Sequence, residues 1–599
     1  MHRHHDHQKP SPPRGGEGVL VLIRDALRRL AHPFPPSPLV ANQIYSPLDA
    51  AAEPLAAAVV ERTLTNEPAV AAIAAAHVRF LDHPEGGRCL AKGLLTVFEE
   101  RLRVLALRLD PPERHDFDPV PIPDRPHPLD PFLSAELPVS HPAPGFGAGW
   151  LVASAVFWGV ALIAKASWVL IRHGRRTVEP RYWKIAAQDF WQPARWESLV
   201  AGMASEGVTL DDLVFVLERR EGILDGSRLT RLDPEALPVP RGDWLRRVMG
   251  PAVRLAGTVT VLLARHGRDA RVAVAARESL HQAFHALRFL RTGYTLRAEA
   301  FLDIVEYNAL HYLRAIILGR HGIRSVRLPY SEVDSRGNGV AWLGYDLYLG
   351  GGTYAHDHLR LGWSPRGRAV AIGQIGNDRA MAAGTLVQPR YAEDIGGRLA
   401  RGSHMAVFFG SSRVAGLDPI VTTLLRCLWE EIRERPGWFL VVKPKHTEQL
   451  YRMIENDPTL SDLLTSDRAV LLRYEVPGLE VCHASWLIER MSLGASVLGS
   501  VIIESLTRGR PHVAYYPAVR DTPLLDKLRG EGMLAGDAAA LRERIGAILD
   551  APRQVRFDDA WFRTAFDPFG DDRALARMAR VILDNPAATA AQPPPGGDP

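Results

Sequence analysis

The 599-residue sequence predicts an α/β protein with two doubly wound parallel-sheet domains, preceded by a small helical domain and an apolar helix. Three observations carry this expectation. Beyond Arg176, short apolar runs alternate with amphipathic helices, the texture of parallel sheets. Residues 17–110 are instead rich in Ala and Leu with helical spacing. Between these regions, residues 145–164 contain no charged side chain.

Taken in order, residues 1–16 form a His-rich tail read as disordered. In the helical domain, Leu90, Leu94, Val97, Phe98, Leu102 and Leu105 share one helix face. Prolines recur through 111–144 and exclude both helix and central strand, so this is an extended linker. Residues 145–176 follow as an apolar helix long enough to cross or embed in a bilayer. Trp150, Trp158 and Trp168 are its candidate interfacial anchors, and Arg172, His173, Arg175 and Arg176 form a basic flank on the cytoplasmic side. Its glycines and Lys165 fit the other reading, a helix buried in the helical domain.

The first sheet domain spans 177–395, with strands expected at 213–218, 259–264, 300–307, 325–330, 345–351 and 369–373, and a helix near 308–320. The second spans 396–585, with strands at 405–412, 438–446, 469–474, 486–492 and 511–516. Residues 586–599 are Pro-, Ala- and Gly-rich and read as a disordered tail. Two consecutive doubly wound halves leave a cleft between their strand C-termini, where such sheets bind ligands.

Composition removes several classes. A net charge of +4 is small for this length and argues against general nucleic-acid binding. Three cysteines, Cys89, Cys427 and Cys482, lie far apart without a CxxC, so no disulfide framework or cysteine-zinc site is expected. No His/Asp set has metal spacing, and neither a metal nor a cofactor is expected.

The segment 496–517 reads as strand, small-residue turn, short helix, Gly-Arg-Pro break and second strand, preceded by the apolar run Trp486–Ile488. Ser496, Gly499 and Ser500 cluster where a helix begins, so free N–H groups and the helix dipole can meet a phosphate. Glu504, one turn later, is placed to accept hydrogen bonds from ribose hydroxyls. An ordinary βαβ unit with a solvated Glu has the same outline. Two further strand ends support the phosphate reading. Gly410, Ser411 and Ser412 offer N–H and hydroxyl donors, and Lys443, Lys445 and His446 offer positive charge facing the cleft.

The motifs FFGSS (408–412), VVKPKH (441–446), SVLGSVIIESLTRGRP (496–511) and DPFGDDRALARMARVIL (567–583) together resemble the C-terminal domain of GT-B glycosyltransferases. The resemblance is to the bacterial surface and capsular polysaccharide group, including CDP-glycerol glycerophosphotransferase-like proteins. In the first half, 306–331 and 345–352 resemble their acceptor-side strand–helix–strand and the Asp-containing strand after it. The resemblance covers about 177–585 and implies two Rossmann-like domains of GT-B type and a nucleotide-sugar substrate. It also implies a glycan or lipid-linked acceptor, and work at the cytoplasmic face of the inner membrane in building the cell envelope. There are departures. The Gln-His-Gly step that many relatives carry is absent after Leu328-Pro329-Tyr330-Ser331, and their Lys-Pro-His-Pro is here Lys443-Pro444-Lys445-His446.

Such a transferase stabilises charge growing on a diphosphate leaving group and needs a general base for the acceptor hydroxyl. Glu306, at the end of the strand AFLDIVE, is the first candidate base; Asp303, Glu332 and Asp334 lie nearby, and His356 with Asp357 is a second acid/base pair. A nucleotide-sugar 2-epimerase and a non-catalytic membrane-associated scaffold for polysaccharide assembly would share this architecture.

Overall fold

The computed structural model describes residues 47–109, 127–134, 148–188, 193–216, 229–303, 309–328, 344–354, 357, 367–382, 387–410, 418–445, 447–473, 482–517, 522–552, 557 and 559–583. The expected tails at 1–16 and 586–599, and most of the 111–144 linker, lie outside the described residues. The linker's described part, 127–134, is not extended but holds the short helix Asp130–Ser134, with Leu129 and Leu133 buried in the helical core and Asp130 paired with Arg101 at 2.9 Å.

The first sheet has seven parallel strands: β1 Arg181–Gln188, β2 Leu213–Val216, β3 Thr230–Leu232, β4 Leu296–Asp303, β5 Arg324–Arg327, β6 Leu347–Gly350 and β7 Arg368–Ala371. Their spatial order is 3-2-1-4-5-6-7. The second sheet has six: β8 His404–Phe409, β9 Trp438–Lys443, β10 Ala469–Leu471, β11 Leu493–Val497, β12 His512–Tyr515 and β13 Leu534–Ala535. Counted from its own first strand, it repeats the order 3-2-1-4-5-6. Both sheets are therefore doubly wound, each with a switch point where the winding reverses. Every residue of Met405–Phe409 and Trp438–Val442 is buried, as continuous apolar runs must be when helices cover both faces of a parallel sheet.

Two expected strands are helices instead. Residues 486–492 fall mostly in a helix, α9 Ala484–Arg490, whose start is capped by His483 Nδ1 accepting from Ser485 N at 3.3 Å. Trp486, Leu487 and Ile488 are buried while Arg490 is exposed, and the strand follows at Leu493–Val497. Residues 259–264 lie inside Arg241–His266, where Val259 and Leu263 are buried and Val261 is exposed, a spacing of four rather than two. β1, β3, β13 and the long helix Ala270–Thr295 carry no sequence expectation.

A helical layer packs into one core from α1 Pro47–Asn66, α2 Pro68–Leu81, α3 Gly86–Leu109, α4 Gly149–His173, α6 Arg241–His266, α7 Ala270–Thr295 and α8 Ala309–Gly319; α5, Pro193–Met203, belongs to the first sheet's core. On α4 the buried face is Leu151, Ala155, Trp158, Leu162, Ala166 and Val169, set against α7. Trp158 packs edge-on against His281 and Phe284 at 4.7 and 5.1 Å, so it is a core residue and not an interfacial anchor. Lys165 reaches inward too: its Nζ lies 3.1 Å from Glu235 Oε1 and over the Phe284 ring.

The chain crosses from the first half to the second after β7, through Gln374–Asp378, and it returns. Helix α12, Ala574–Ile582, buries Leu575, Met578, Ala579 and Ile582 in the core of the first sheet. Gly202 on α5 permits this: a Cβ there would stand 2.3 Å from Leu575 Cδ1.

Candidate functional site

The switch point of the second sheet lies between β8 and β11, and the strand ends there build the site upward. β8 ends at Phe409 and β11 at Val497; helix α10, Ser500–Thr507, starts just beyond. Its first residue is preceded by Gly499 in an extended conformation, and no side chain caps the helix. Among the described residues, a Cβ on Gly499 would meet only the Val497 carbonyl, at 3.6 Å. The α10 N-terminus thus presents first-turn amides and the positive end of its dipole at the carboxyl edge of the sheet.

Lys443 ends β9 next to β8, half-buried, and Lys445 follows it, exposed. Gly410 brings these segments together. Its N–H donates to the Lys443 carbonyl at 2.8 Å, and a Cβ on it would sit 3.0 Å from Lys445 N. The Gly410 amide is therefore spent on the sheet edge and is not a ligand donor. Its value is its small size.

Ser496 is likewise used internally. Its Oγ lies 2.8 Å from His512 Nε2, and Ser505 Oγ lies 2.9 Å from His512 Nδ1. Ser505 already donates to the Val501 carbonyl, so it accepts from Nδ1–H, and the Ser496 hydroxyl donates to Nε2. Ser496 is 2% exposed, which excludes its hydroxyl from a surface phosphate. Burial pushes His512 down to about 3, so this imidazole stays neutral.

Glu504 shares a face of α10 with Ser500, four residues apart. Its carboxylate is directed to the seam between the halves: a Cβ on Gly376 would lie 2.6 Å from Glu504 Oε2. Around this contact the seam is polar and closely satisfied. Arg508 Nε donates to Asn377 Oδ1 at 2.7 Å and its Nη2 to the Gly376 carbonyl at 2.7 Å. Asn377 Nδ2 donates to Thr507 Oγ1 at 2.8 Å and to Asp567 Oδ2 at 3.0 Å. Burial raises the Asp567 carboxyl and lowers the Arg508 guanidinium. The Gly-rich end of β6 also serves this seam. A Cβ on Gly351 would meet Gln374 Nε2 and Phe566 O at 2.3 Å, and one on Gly352 would strike Ala565 of α11, Ala560–Phe566.

At the first sheet's switch point, between β1 and β4, sequence reasoning missed a buried cluster. Arg314 on α8 pairs with Asp303, donates to Gln188 Oε1 at 2.9 Å, and shares Asp303 Oδ2 with Tyr345 Oη at 2.9 Å. His311 Nδ1 stands 3.9 Å from the same carboxylate, and burial with Lys92 nearby lowers it to about 3. The available signal was His311 and Arg314 three apart on an otherwise apolar helix. Asp303, 1% exposed and shared among these donors, holds β4 to α8 and is not poised to take an acceptor proton. Asp357 is exposed. Glu306, His356, Ser411, Ser412 and His446, with Glu332 and Asp334, lie outside the described residues. Among the described residues, no group of three or more His, Cys, Asp or Glu is arranged to hold a metal.

No protein-family model matches the chain, and no curated protein matches it either. Among solved structures it is similar to S. aureus MnaA in a co-structure with UDP, at 12% identity and a TM-score of 0.43, over 69% of this chain and 100% of that one. It is similar to a putative UDP-N-acetylglucosamine 2-epimerase from Listeria monocytogenes at 14% identity and a TM-score of 0.41, over 67% and 96% of the two chains. A variant of the wall teichoic acid polymerase TagF aligns at 10% identity and a TM-score of 0.40, over 74% and 99%. Likeness of this degree carries no argument about chemistry. The chain's own strand orders establish two doubly wound α/β domains joined by two crossings.

Proposed function

We propose that the protein is a metal-independent glycosyltransferase of GT-B type, moving a sugar or sugar-like group from a nucleotide-activated donor to a surface-polysaccharide or lipid-linked acceptor. The observation that carries this reading is the second sheet's switch point, where the uncapped N-terminus of α10 after β11 and the Lys443–Lys445 segment after β9 flank the end of β8 from its two sides. Departure of a nucleoside diphosphate places new negative charge on the β-phosphate. Lys443, Lys445 and the first amides of α10 are the groups that would meet it, with no bound ion needed. Ser500 stands at the phosphate end of the α10 face and Glu504 at the ribose end, about 6 Å apart along the axis. The acceptor base is assigned to the first half, with Glu306 or the His356–Asp357 pair as the candidates.

Calorimetric titration with UDP, CDP, GDP and CMP tests the reading. Binding of at least one is expected, and Lys443→Ala should weaken it about tenfold, the loss of one charge-assisted contact. Absence of binding to all four would overturn the assignment. The alternative of a 2-epimerase is less well supported, because α4 and α6 leave apolar side chains exposed, which suits a lipid-linked acceptor better than a small soluble one.

A further inference from the structure

Helices α4 and α6 lie side by side and antiparallel along their whole length. Val152 meets Gly267, where a Cβ would be 3.1 Å from Val152 Cγ2. Midway, a Cβ on Gly159 would be 4.0 Å from Ala256 Cβ, and Ser167 Oγ lies 4.0 Å from Met249 Sδ at the far end. Both helices pack on α7, so their outer faces point away from it. The outer face of α4 carries Val156, Val160, Trp168 and Ile171, with Ile171 79% exposed. That of α6 carries Leu245, Val253 and Val261, each about half exposed. Surface side chains of this size do not ordinarily line up along two adjacent helices.

Charge identifies what covers this face. Residues 145–178 contain no Asp or Glu, and residues 241–268 contain only Asp243 against six arginines. Because the helices are antiparallel, Arg172, Arg175 and Arg176 at the end of α4 meet Arg241, Arg246 and Arg247 at the start of α6. Asp243 pairs with Arg246 at 2.8 Å and approaches Arg247 at 3.9 Å, leaving the cluster strongly positive. Lys165, the one cation inside the apolar run, is turned inward to Glu235 and lies off this face.

Spanning does not fit the packing. The inner face of α4 rests on α7, which carries Arg271, Arg277, Glu278, Arg288 and Arg291, charges that a bilayer core would not hold. We propose that α4 and α6 form a two-helix platform lying in the plane of an anionic phospholipid surface, with apolar side chains entering the acyl boundary and the arginines engaging headgroup phosphates. This shares with the reading above only the exposed apolar side chains of α4 and α6, since the nucleotide corner is in the other half of the chain.

Flotation of the full-length protein tests it, using vesicles of phosphatidylglycerol with phosphatidylethanolamine and vesicles of phosphatidylcholine alone. Binding to the anionic vesicles is expected, about tenfold or more tighter than to the neutral ones, with the preference shrinking in high salt. Val160→Glu with Ile171→Glu should abolish flotation, and Arg172→Glu with Arg176→Glu should remove the anionic preference. Unchanged thermal melts would show that the variants fold. No binding to anionic vesicles overturns the proposal, as does binding that survives Val160→Glu/Ile171→Glu. It is also overturned if those variants only convert a dimer to a monomer, which would make the face a contact between copies. Nucleotide titration on the same preparations should be unaffected by them.

Discussion

Glu504 is where the two halves and the assigned ligand compete for one carboxylate. The side chain reaches Gly376 because that residue has no Cβ, and the contact leaves no room for one. Gly376→Ala should therefore displace Glu504 from its present position without touching the α10 N-terminus or the lysines. If Glu504 binds ribose, Glu504→Ala should lower nucleotide affinity by about 1.5–3 kcal/mol, the worth of a hydrogen bond to a charged group. Gly376→Ala should shift the same affinity by a measurable part of that, and calorimetry on both variants checks the coupling. Equal affinity in wild type and Glu504→Ala would reduce Glu504 to a seam residue. Arg314 has the opposite character. Its pairing with Asp303 is buried on both sides, so Arg314→Met leaves a carboxylate uncompensated in the core. The expected loss is about 3–5 kcal/mol, read from the denaturation midpoint, with no nucleotide-specific effect beyond it.

At the level of elements, α12 joins the halves by burying its apolar face in a core formed otherwise by the first sheet and its helices. Gly202→Val should force Leu575 away from α5 and cost about 1–3 kcal/mol, since the close-packed contact has no slack. A melt should show this as a lowered transition of the first half, and an unchanged melt would mean that α12 is not held there. Elements whose pattern is purely local were legible from sequence. Continuous apolar runs identified β8 and β9, and the turn Ser496–Ser500 marked the passage from β11 to α10. What failed was local pattern overruled by packing. Val259–Leu262 has strand-like composition, yet Val259 and Leu263, four apart, are buried together in the core of the helical layer. Trp486–Ile488 is too short for its period to show, and only the His483 cap marks it as helix. The phosphate corner was legible as a place, but not in its atoms. Ser496 and Gly410 sit where the sequence put them and are occupied by His512 and Lys443, partners whose nearness depends on parallel strand register.

Across the whole molecule, neutral histidines make folding sensitive to acid, and unevenly so. Burial lowers His77 and His321 to about 4 and His127, His285, His311 and His512 to about 3. In the unfolded chain each titrates near 6.5. Between those values the unfolded state binds protons that the folded state refuses, so stability rises with pH and is lost as pH falls below about 6.5. Each such imidazole contributes up to about 1.4 kcal/mol per pH unit across that window. Five of the six lie in or against the helical layer and α8, and only His512 belongs to the second half. Acid should therefore release the helical layer and first half while the second half still stands. Urea unfolding at pH 7.5, 6.5 and 5.5 should resolve into two transitions as pH falls, the earlier one moving steeply and the later one by about one imidazole's share. Because desolvation is the main cause at each histidine, added salt should leave the steep transition nearly where it is. A single transition with a midpoint flat from pH 7.5 to 5.5 would contradict both the buried neutral histidines and their uneven placement. His512→Asn should slow the pH dependence of the later transition alone, tying the acid response of the second half to the Ser496–His512–Ser505 chain behind its phosphate corner.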